Sequence, residues 1–167
     1  MGGAARGLIV AVDFDGTCVE DRFPRVGADI GAAPVLGRLA AGGARIILHT
    51  MRSDLRSPVS DEPGIVTSGG DYLSDALAWF ESRGIPLWGV NSNPEQSGWT
   101  SSPKPFAHVY VDDRALGCPL VAAPGGGAFA DWGRIALALL PAAGLAGEAE
   151  DAAAEARAEA GAALGSR

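Results

Sequence analysis

Residues 8–17 read Leu-Ile-Val-Ala-Val-Asp-Phe-Asp-Gly-Thr, and this stretch decides the fold class. Its first half is a continuous run of apolar, β-prone residues, which is typical of a strand buried on both faces in a parallel sheet. Two carboxylates, Asp13 and Asp15, follow it at once. Because open α/β sheets bind ligands at the carboxyl ends of their strands, the sequence predicts a site at this point.

Apolar strands and helical patterns alternate along the rest of the chain, as in a parallel α/β sheet. We expect strands at 8–12, 45–49, 85–90 and 107–111, a short fifth strand at 118–123, and helices near Pro34, Asp71 and Asp131. Asp71 and Asp131 are the expected caps of their helices. The predicted fold class is therefore α/β, a three-layer Rossmann-like parallel sheet flanked by helices.

The predicted core is complete near Pro141, which divides the chain into a domain over 1–141 and a tail over 142–167. The tail is rich in Ala and Glu and has two leucines as its large apolar residues. With so little apolar surface to bury, it is expected to be frayed or disordered. The Ser- and Pro-rich stretch 53–70 is too long for an ordinary connection and has the size of a lid loop.

Composition and charge argue against several classes of function. The formal net charge of −7 disfavours a nucleic-acid partner, because phosphate backbones select basic surfaces. No apolar run approaches the length of a membrane span, and no secretory signal is recognisable, so we expect a cytoplasmic protein without a membrane partner. Two cysteines are too few for a disulfide scaffold.

Further polar residues accompany the other predicted strands. Thr50 ends the second strand, Lys104 comes just before the fourth, and Asp112-Asp113 come just after it. Together with the carboxylates after the first strand, Asp112 offers the hard oxygen ligands that suit Mg²⁺. Thr50 offers a hydroxyl donor, and Lys104, the only lysine in the chain, offers a point charge for phosphate oxygens.

Taken in order, these residues resemble the four motifs of the phosphatases of the haloacid-dehalogenase (HAD) superfamily. The matching elements are Asp13-Phe14-Asp15-Gly16-Thr17, Thr50, Lys104 and Asp112-Asp113. The neighbouring stretches 11–20, 23–27 and 110–114 are most similar to a small capless group of bacterial and phage members. The resemblance covers roughly residues 8–140.

The resemblance implies a Mg²⁺-dependent phosphohydrolase, a phosphomonoesterase that acts through an aspartyl-phosphate intermediate. Asp13 would be the nucleophile, while Asp15 would protonate the leaving oxygen and then activate water. Mg²⁺ would be held by Asp13, by the backbone carbonyl of Asp15 and by Asp112. Asp113 and Thr17 would support this site from close by.

The remaining motif residues, Thr50 and Lys104, would hold the phosphoryl oxygens and take part in catalysis. In the same family, members that remove halide or hold the phosphoryl-enzyme for transport carry no acid at the position of Asp15. The resemblance therefore favours hydrolysis.

Spacing leaves no room for a cap domain between Thr17 and Thr50, or between Thr50 and Lys104. We expect an open site that admits a macromolecular phosphoester, or a small one covered by a partner subunit in a homo-oligomer. Four arginines near the predicted mouth could grip a distal anionic group of the substrate: Arg22, Arg25, Arg52 and Arg114.

Two other classes of function remain open. A receiver-type signalling domain uses similar residues around Mg²⁺, but it places its acidic pair after the first strand, whereas Asp112-Asp113 come last here. A non-catalytic module that binds metal or phosphate would keep the same scaffold. The complete set of motif residues weakens that second alternative.

Overall fold

A computed structural model describes residues 7–55, 69–123 and 126–165. The strands are β1 (Ile9–Val12), β2 (Arg45–Leu48), β3 (Asp54–Leu55), β4 (Gly70–Asp71), β5 (Leu87–Val90), β6 (Val109–Val111), β7 (Leu120–Ala122) and β8 (Ala128–Ala130). The α-helices are α1 (Ala32–Ala41), α2 (Tyr72–Ser82), α3 (Trp132–Ala142) and α4 (Ala149–Gly165). Short 3₁₀ turns lie at Gln96–Gly98 and Ala146–Glu148.

The central sheet contains β5, β2, β1 and β6 in that order, with every neighbouring pair parallel. Within it, Val12 of β1 lies opposite Leu48 on one side and Val111 on the other. The carboxyl ends of three strands therefore lie side by side. This arrangement confirms the α/β, Rossmann-like fold class and the strands expected at 8–12, 45–49, 85–90 and 107–111, apart from one or two end residues.

The two faces of the sheet are covered unequally. Val10 and Val12 point into a large core cluster that contains residues from all four helices. On the opposite face, Ile9 and Ala11 pack in a much smaller cluster with Ala107 from the connection between β5 and β6. The second covering layer is therefore thin, and most of the buried apolar surface lies under the helices.

The expected fifth strand exists as β7, but it does not join the central sheet. It pairs antiparallel with β8 in a separate hairpin. Two hydrogen bonds tie this region to the Asp13–Thr17 motif: the Ala130 amide donates to the Gly16 carbonyl at 2.9 Å, and the Trp132 indole donates to the Thr17 carbonyl. The hairpin thus supports the loop that carries the motif.

The two expected helix caps have different outcomes. Asp131 caps α3, because its carboxylate accepts a hydrogen bond from the Arg134 amide at 3.0 Å. Asp71 precedes α2 but its side chain makes no capping bond. Asp54 caps α2 instead, accepting from the amide of Ser74 at 3.0 Å, and it can do so because it lies opposite Asp71 in the β3–β4 pair.

The prediction of a frayed or disordered tail is wrong for residues 149–165, which form α4. This helix buries a row of small side chains against α3 and α1: Ala149, Ala152, Ala153 and Ala156. Small residues let two backbones approach closely, so a helix can bury its face without large apolar side chains. The predicted boundary at 141–142 consequently falls within the last turn of α3.

In the described parts of the chain, no domain is inserted after β1 or after β2, in line with the expected absence of a cap. The central part of the expected lid loop, 56–68, lies outside the described residues. No helix among the described residues combines the length and the apolarity that crossing a membrane requires.

Candidate metal centre and active site

Three carboxylates meet at the carboxyl edge of the sheet. Asp13 follows β1 and remains beside β6, because its amide donates to the Val111 carbonyl at 3.0 Å. Asp112 and Asp113 follow β6, and one carboxylate oxygen from each of the three residues lies within 4.8 Å of the others. Such a set of oxygen donors could hold a hard divalent cation.

The carboxylates of this cluster perturb one another's protonation. Burial raises the pKa of Asp13 to about 7, and the charges of Asp112, Asp113 and Asp15 add to the effect, while a backbone hydrogen bond with Phe14 opposes it. The pKa of Asp113 is also raised, first by burial. A bound cation would offset this repulsion and the loss of hydration.

Thr17 and Gly16 hold Asp113 in place. The buried Thr17 hydroxyl donates to the Asp113 carboxylate at 3.3 Å and accepts from the Asp113 amide at 3.0 Å. Gly16 has φ 77°, and a Cβ there would lie 2.5 Å from an Asp113 carboxylate oxygen. Asp113, expected as a supporting residue, thus lies among the carboxylates that could bind the metal directly.

The Asp15 side chain lies outside this cluster and is paired with Arg52. Two hydrogen bonds of 2.7 Å join the guanidinium to the two carboxylate oxygens. Arg52 also donates to the carbonyls of Pro24 at 3.3 Å, Tyr72 at 3.3 Å and Arg25 at 2.9 Å. Arg25 takes part through its backbone carbonyl.

Arg52, which was expected to grip a distal anionic group of the substrate, instead faces Asp15 in the structure. Arg52 is only 2% exposed, and its hydrogen bonds occupy all its side-chain N–H groups. Sequence reasoning missed its pairing because Arg52 and Asp15 are 37 positions apart. The available signal was its place two residues after Thr50, at the same edge of the sheet.

Thr50 lies at this edge, and its hydroxyl donates no hydrogen bond to any residue that the structure describes. Its hydroxyl oxygen accepts from the Arg52 amide at 3.1 Å, and its own amide donates to the Asn91 side chain at 2.8 Å. The Asn91 amide donates to the Leu48 carbonyl at 2.7 Å. Asn91, which sequence reasoning missed, thereby fixes the position of Thr50.

Lys104 packs over the ring of Tyr110 in β6, two residues before Asp112. Its ammonium nitrogen is 4.8 Å from the centroid of the Tyr110 ring, and within the described ranges it forms no ion pair. Tyr110 is opposite Ala11, two residues before Asp13. At about 3.3 Å per residue, the Tyr110 backbone lies roughly 7 Å along the chain from that of Asp112, a distance that a flexible lysine side chain can span.

Two of the four arginines border a cleft of about 500 Å³ that adjoins Asp113. Arg22 pairs with Glu20 at 3.4 Å, and Arg114 pairs with Asp113 at 3.1 Å and with Asp21 at 3.2 Å. Each cleft arginine already faces a carboxylate, so an anionic group would have to displace these pairs.

The fold and the site together define an α/β protein with a parallel sheet and a carboxylate cluster at the carboxyl ends of its strands. No protein-family model and no curated protein matches the chain. A solved structure of a conserved protein from Bacteroides thetaiotaomicron does match, with 32% identity and a TM-score of 0.55, over 77% of this chain and 85% of that one. The chain belongs to the same family as this conserved protein.

Proposed function

We propose that the chain is a Mg²⁺-dependent phosphohydrolase of the HAD type with Asp13 as its nucleophile. The observation that carries the proposal is the convergence of Asp13, Asp112 and Asp113, with carboxylate oxygens within 4.8 Å, at the carboxyl edge of the sheet. Neighbouring carboxylates cost free energy in a folded protein unless a cation binds them. Their presence in one chain together with Thr50, Lys104 and Asp15 supports a phosphoryl-transfer site.

Each residue then has a chemical task. The Asp13 carboxylate forms a bond to phosphorus while the bond to the leaving oxygen breaks, and Asp15 gives that oxygen a proton. Asp15 next takes a proton from water, whose oxygen displaces Asp13 and releases inorganic phosphate. Thr50 and Lys104 orient the phosphoryl oxygens, in keeping with a reaction that depends on positioning and charge neutralisation. Bound Mg²⁺ would shield the anionic nucleophile from the anionic substrate.

Release of p-nitrophenol from p-nitrophenyl phosphate with Mg²⁺ tests this proposal. We expect the wild type to turn over and Asp13→Asn to lose activity by roughly a thousandfold or more, since the nucleophile is removed. Asp75→Asn, an exposed acid on α2, is the matched control and keeps wild-type activity. Equal inertness of wild type and Asp13→Asn across sugar phosphates, nucleotides and phosphopeptides would contradict the proposal.

One observation favours a second candidate, a non-catalytic metal-binding module. The Asp15 carboxylate is turned toward Arg52 and away from the three clustered carboxylates. A module of this kind would bind Mg²⁺, seen as a rise in Tm on addition of the ion, without releasing phosphate from any ester of the panel.

A further inference from the structure

Arg52 is the most completely bonded side chain at the proposed site. Its Nε donates to one oxygen of Asp15, and Nη2 donates to the other oxygen and to the Arg25 carbonyl. Its Nη1 donates to the carbonyls of Pro24 and Tyr72. Five hydrogen bonds thus use the five N–H groups of a guanidinium.

The surroundings of Arg52 hold the guanidinium in one orientation. Its side chain is 1% exposed, and its central carbon lies 5.0 Å from the centroid of the Phe14 ring and 5.2 Å from that of Phe23. Phe23 in turn packs edge-on against Tyr72, with centroids 5.1 Å apart. A planar group fixed in this way also fixes the plane of any carboxylate that pairs with it bidentately.

We propose that Arg52 is a positioning residue that sets the orientation of Asp15, an inference that rests on the proposed phosphohydrolase function. Arg52 contacts neither the three clustered carboxylates nor the cleft beside Asp113, so it acts on the reaction through Asp15. Through the carbonyls of Pro24, Arg25 and Tyr72, it also makes the orientation of Asp15 depend on the 23–25 segment and on the start of α2.

The physical argument is one of geometry. Asp15 has to meet the leaving oxygen and later a water molecule, and a misplacement of about 1 Å can cost on the order of a hundredfold in rate. Lysine would keep the positive charge but would bring one point of contact in place of a planar pair. Arg52→Lys should therefore disturb the orientation of Asp15 more than it disturbs the charge balance.

A double-mutant cycle with p-nitrophenyl phosphate and Mg²⁺ tests the inference. We expect Arg52→Lys to lower kcat by roughly ten- to a hundredfold with KM changed by less than about threefold, and Asp15→Asn to lower kcat at least as much. If Arg52 acts through Asp15, the double variant is no slower than Asp15→Asn by more than about threefold.

Two further measurements separate positioning from a purely structural role. In Arg52→Ala, added guanidinium at millimolar concentration should restore part of kcat by occupying the vacated cavity. Arg38→Lys is the matched control, because Arg38 also forms a bidentate pair, with Glu155 at 2.9 Å for both bonds, but far from the cluster. Circular dichroism spectra establish that each variant is folded under the assay conditions.

The possible failures are distinct. Three outcomes would overturn the role of Arg52 and leave the phosphohydrolase function intact. They are a wild-type kcat in Arg52→Lys, a loss of kcat in the double variant equal to the product of the two single losses, and a loss of kcat in Arg38→Lys as large as that in Arg52→Lys. Absence of turnover in the wild type would overturn the proposed function, and the positioning role along with it.

Discussion

Asp13 is the residue at which folding and the proposed chemistry make opposite demands. Burial raises the pKa of Asp13 to about 7, and the charges of Asp112, Asp113 and Asp15 add to this effect. In the metal-free protein the charged form of Asp13 is therefore costly, and a neutral residue would be more stable. Such a cost is typical of functional positions, where stability is given up for activity.

This cost makes the stability of the metal-free protein depend on pH. The folded-state pKa of Asp13 is raised from 3.8 to about 7, so the stabilisation that it contributes is complete below about pH 4 and is lost as the pH rises through about 7. Asp13→Asn, which stays neutral, should raise Tm by roughly 5 °C at pH 8 and by much less at pH 5. Thermal melts in the presence of EDTA measure this difference.

Glu150→Gln provides the control, since Glu150 is exposed on α4 and away from the cluster. It should leave Tm unchanged, within about 1 °C, at both pH values. A lower Tm for Asp13→Asn than for the wild type at pH 8 would show that the charged Asp13 carboxylate does not destabilise the folded protein.

The affinity for Mg²⁺ should also depend on the protonation of Asp13, but it should rise with pH, whereas the stability of the metal-free protein falls. A proton on Asp13 competes with the metal, so the affinity measured by calorimetry should be roughly tenfold weaker at pH 6 than at pH 8. Asp112→Asn and Asp113→Asn should each weaken binding at least about tenfold at pH 8, because each removes an anionic ligand. Asp75→Asn should not change it, and equal affinities at the two pH values would contradict the assignment of Asp13 as a ligand.

At the scale of single elements, α4 shows how small residues bind a helix to the core. Gly31 has φ 96°, and a Cβ there would lie 2.4 Å from the Ala156 carbonyl oxygen of α4. Gly31→Ala should lower the free energy of unfolding by about 2 kcal/mol or more. Gly161→Ala within α4, where a Cβ meets nothing within 4 Å, should raise it by roughly 0.5–1 kcal/mol.

Urea denaturation of the two variants and the wild type measures both changes in the free energy of unfolding, and both substitutions affect α4. Opposite signs are the expected result, because one substitution forces two backbones apart and the other improves helix propensity alone. A stable Gly31→Ala variant would show that α4 does not pack closely on this part of the chain.

The start of α2 provides a second test at the element scale. Asp54 accepts hydrogen bonds from the Leu73 amide at 2.9 Å and from the Ser74 amide and hydroxyl, at 3.0 and 2.7 Å. Asp54→Ala should therefore lower the free energy of unfolding by about 1 kcal/mol. Asp71→Ala, which removes no capping bond, should cost clearly less in the same denaturation experiment. A larger loss of stability for Asp71→Ala than for Asp54→Ala would show that Asp71 is the cap of α2.

At the scale of the whole molecule, the four described helices share one hydrophobic core with the central sheet. Residues of α4 belong to the same core cluster as Val10 and Val12 of β1 and Trp132 of α3. We expect a single unfolding transition, with coincident midpoints by far-ultraviolet circular dichroism and by fluorescence of the buried Trp79 and Trp132. An earlier loss of helical signal, before the fluorescence change, would indicate that α4 melts on its own.

The central sheet was predictable from local sequence, and so was the edge of the sheet at which the carboxylates lie. A continuous apolar run such as 8–12 is most simply a strand buried on both faces, and parallel strands place their carboxyl ends at a common edge. This reasoning predicted a common site for Asp13, Asp15 and Asp112 with Asp113 close by. The structure brings oxygens of Asp13, Asp112 and Asp113 within 4.8 Å of one another and pairs the Asp15 side chain with Arg52. Here chain order and residue type carry enough information, because each strand is short and its end is marked by polar residues.

Only the tertiary structure shows which residues pair across long distances in the sequence. The pairing of Arg52 with Asp15, the capping of α2 by Asp54 and the contact of α4 with Gly31 all join side chains or backbones that are far apart in the sequence. Such contacts depend on the orientations that packing imposes, which residue type does not specify. The pattern of large apolar residues in the sequence predicts which large side chains are buried in the core. It does not predict that a helix packs through alanines, or that an arginine is buried because its N–H groups are all hydrogen-bonded.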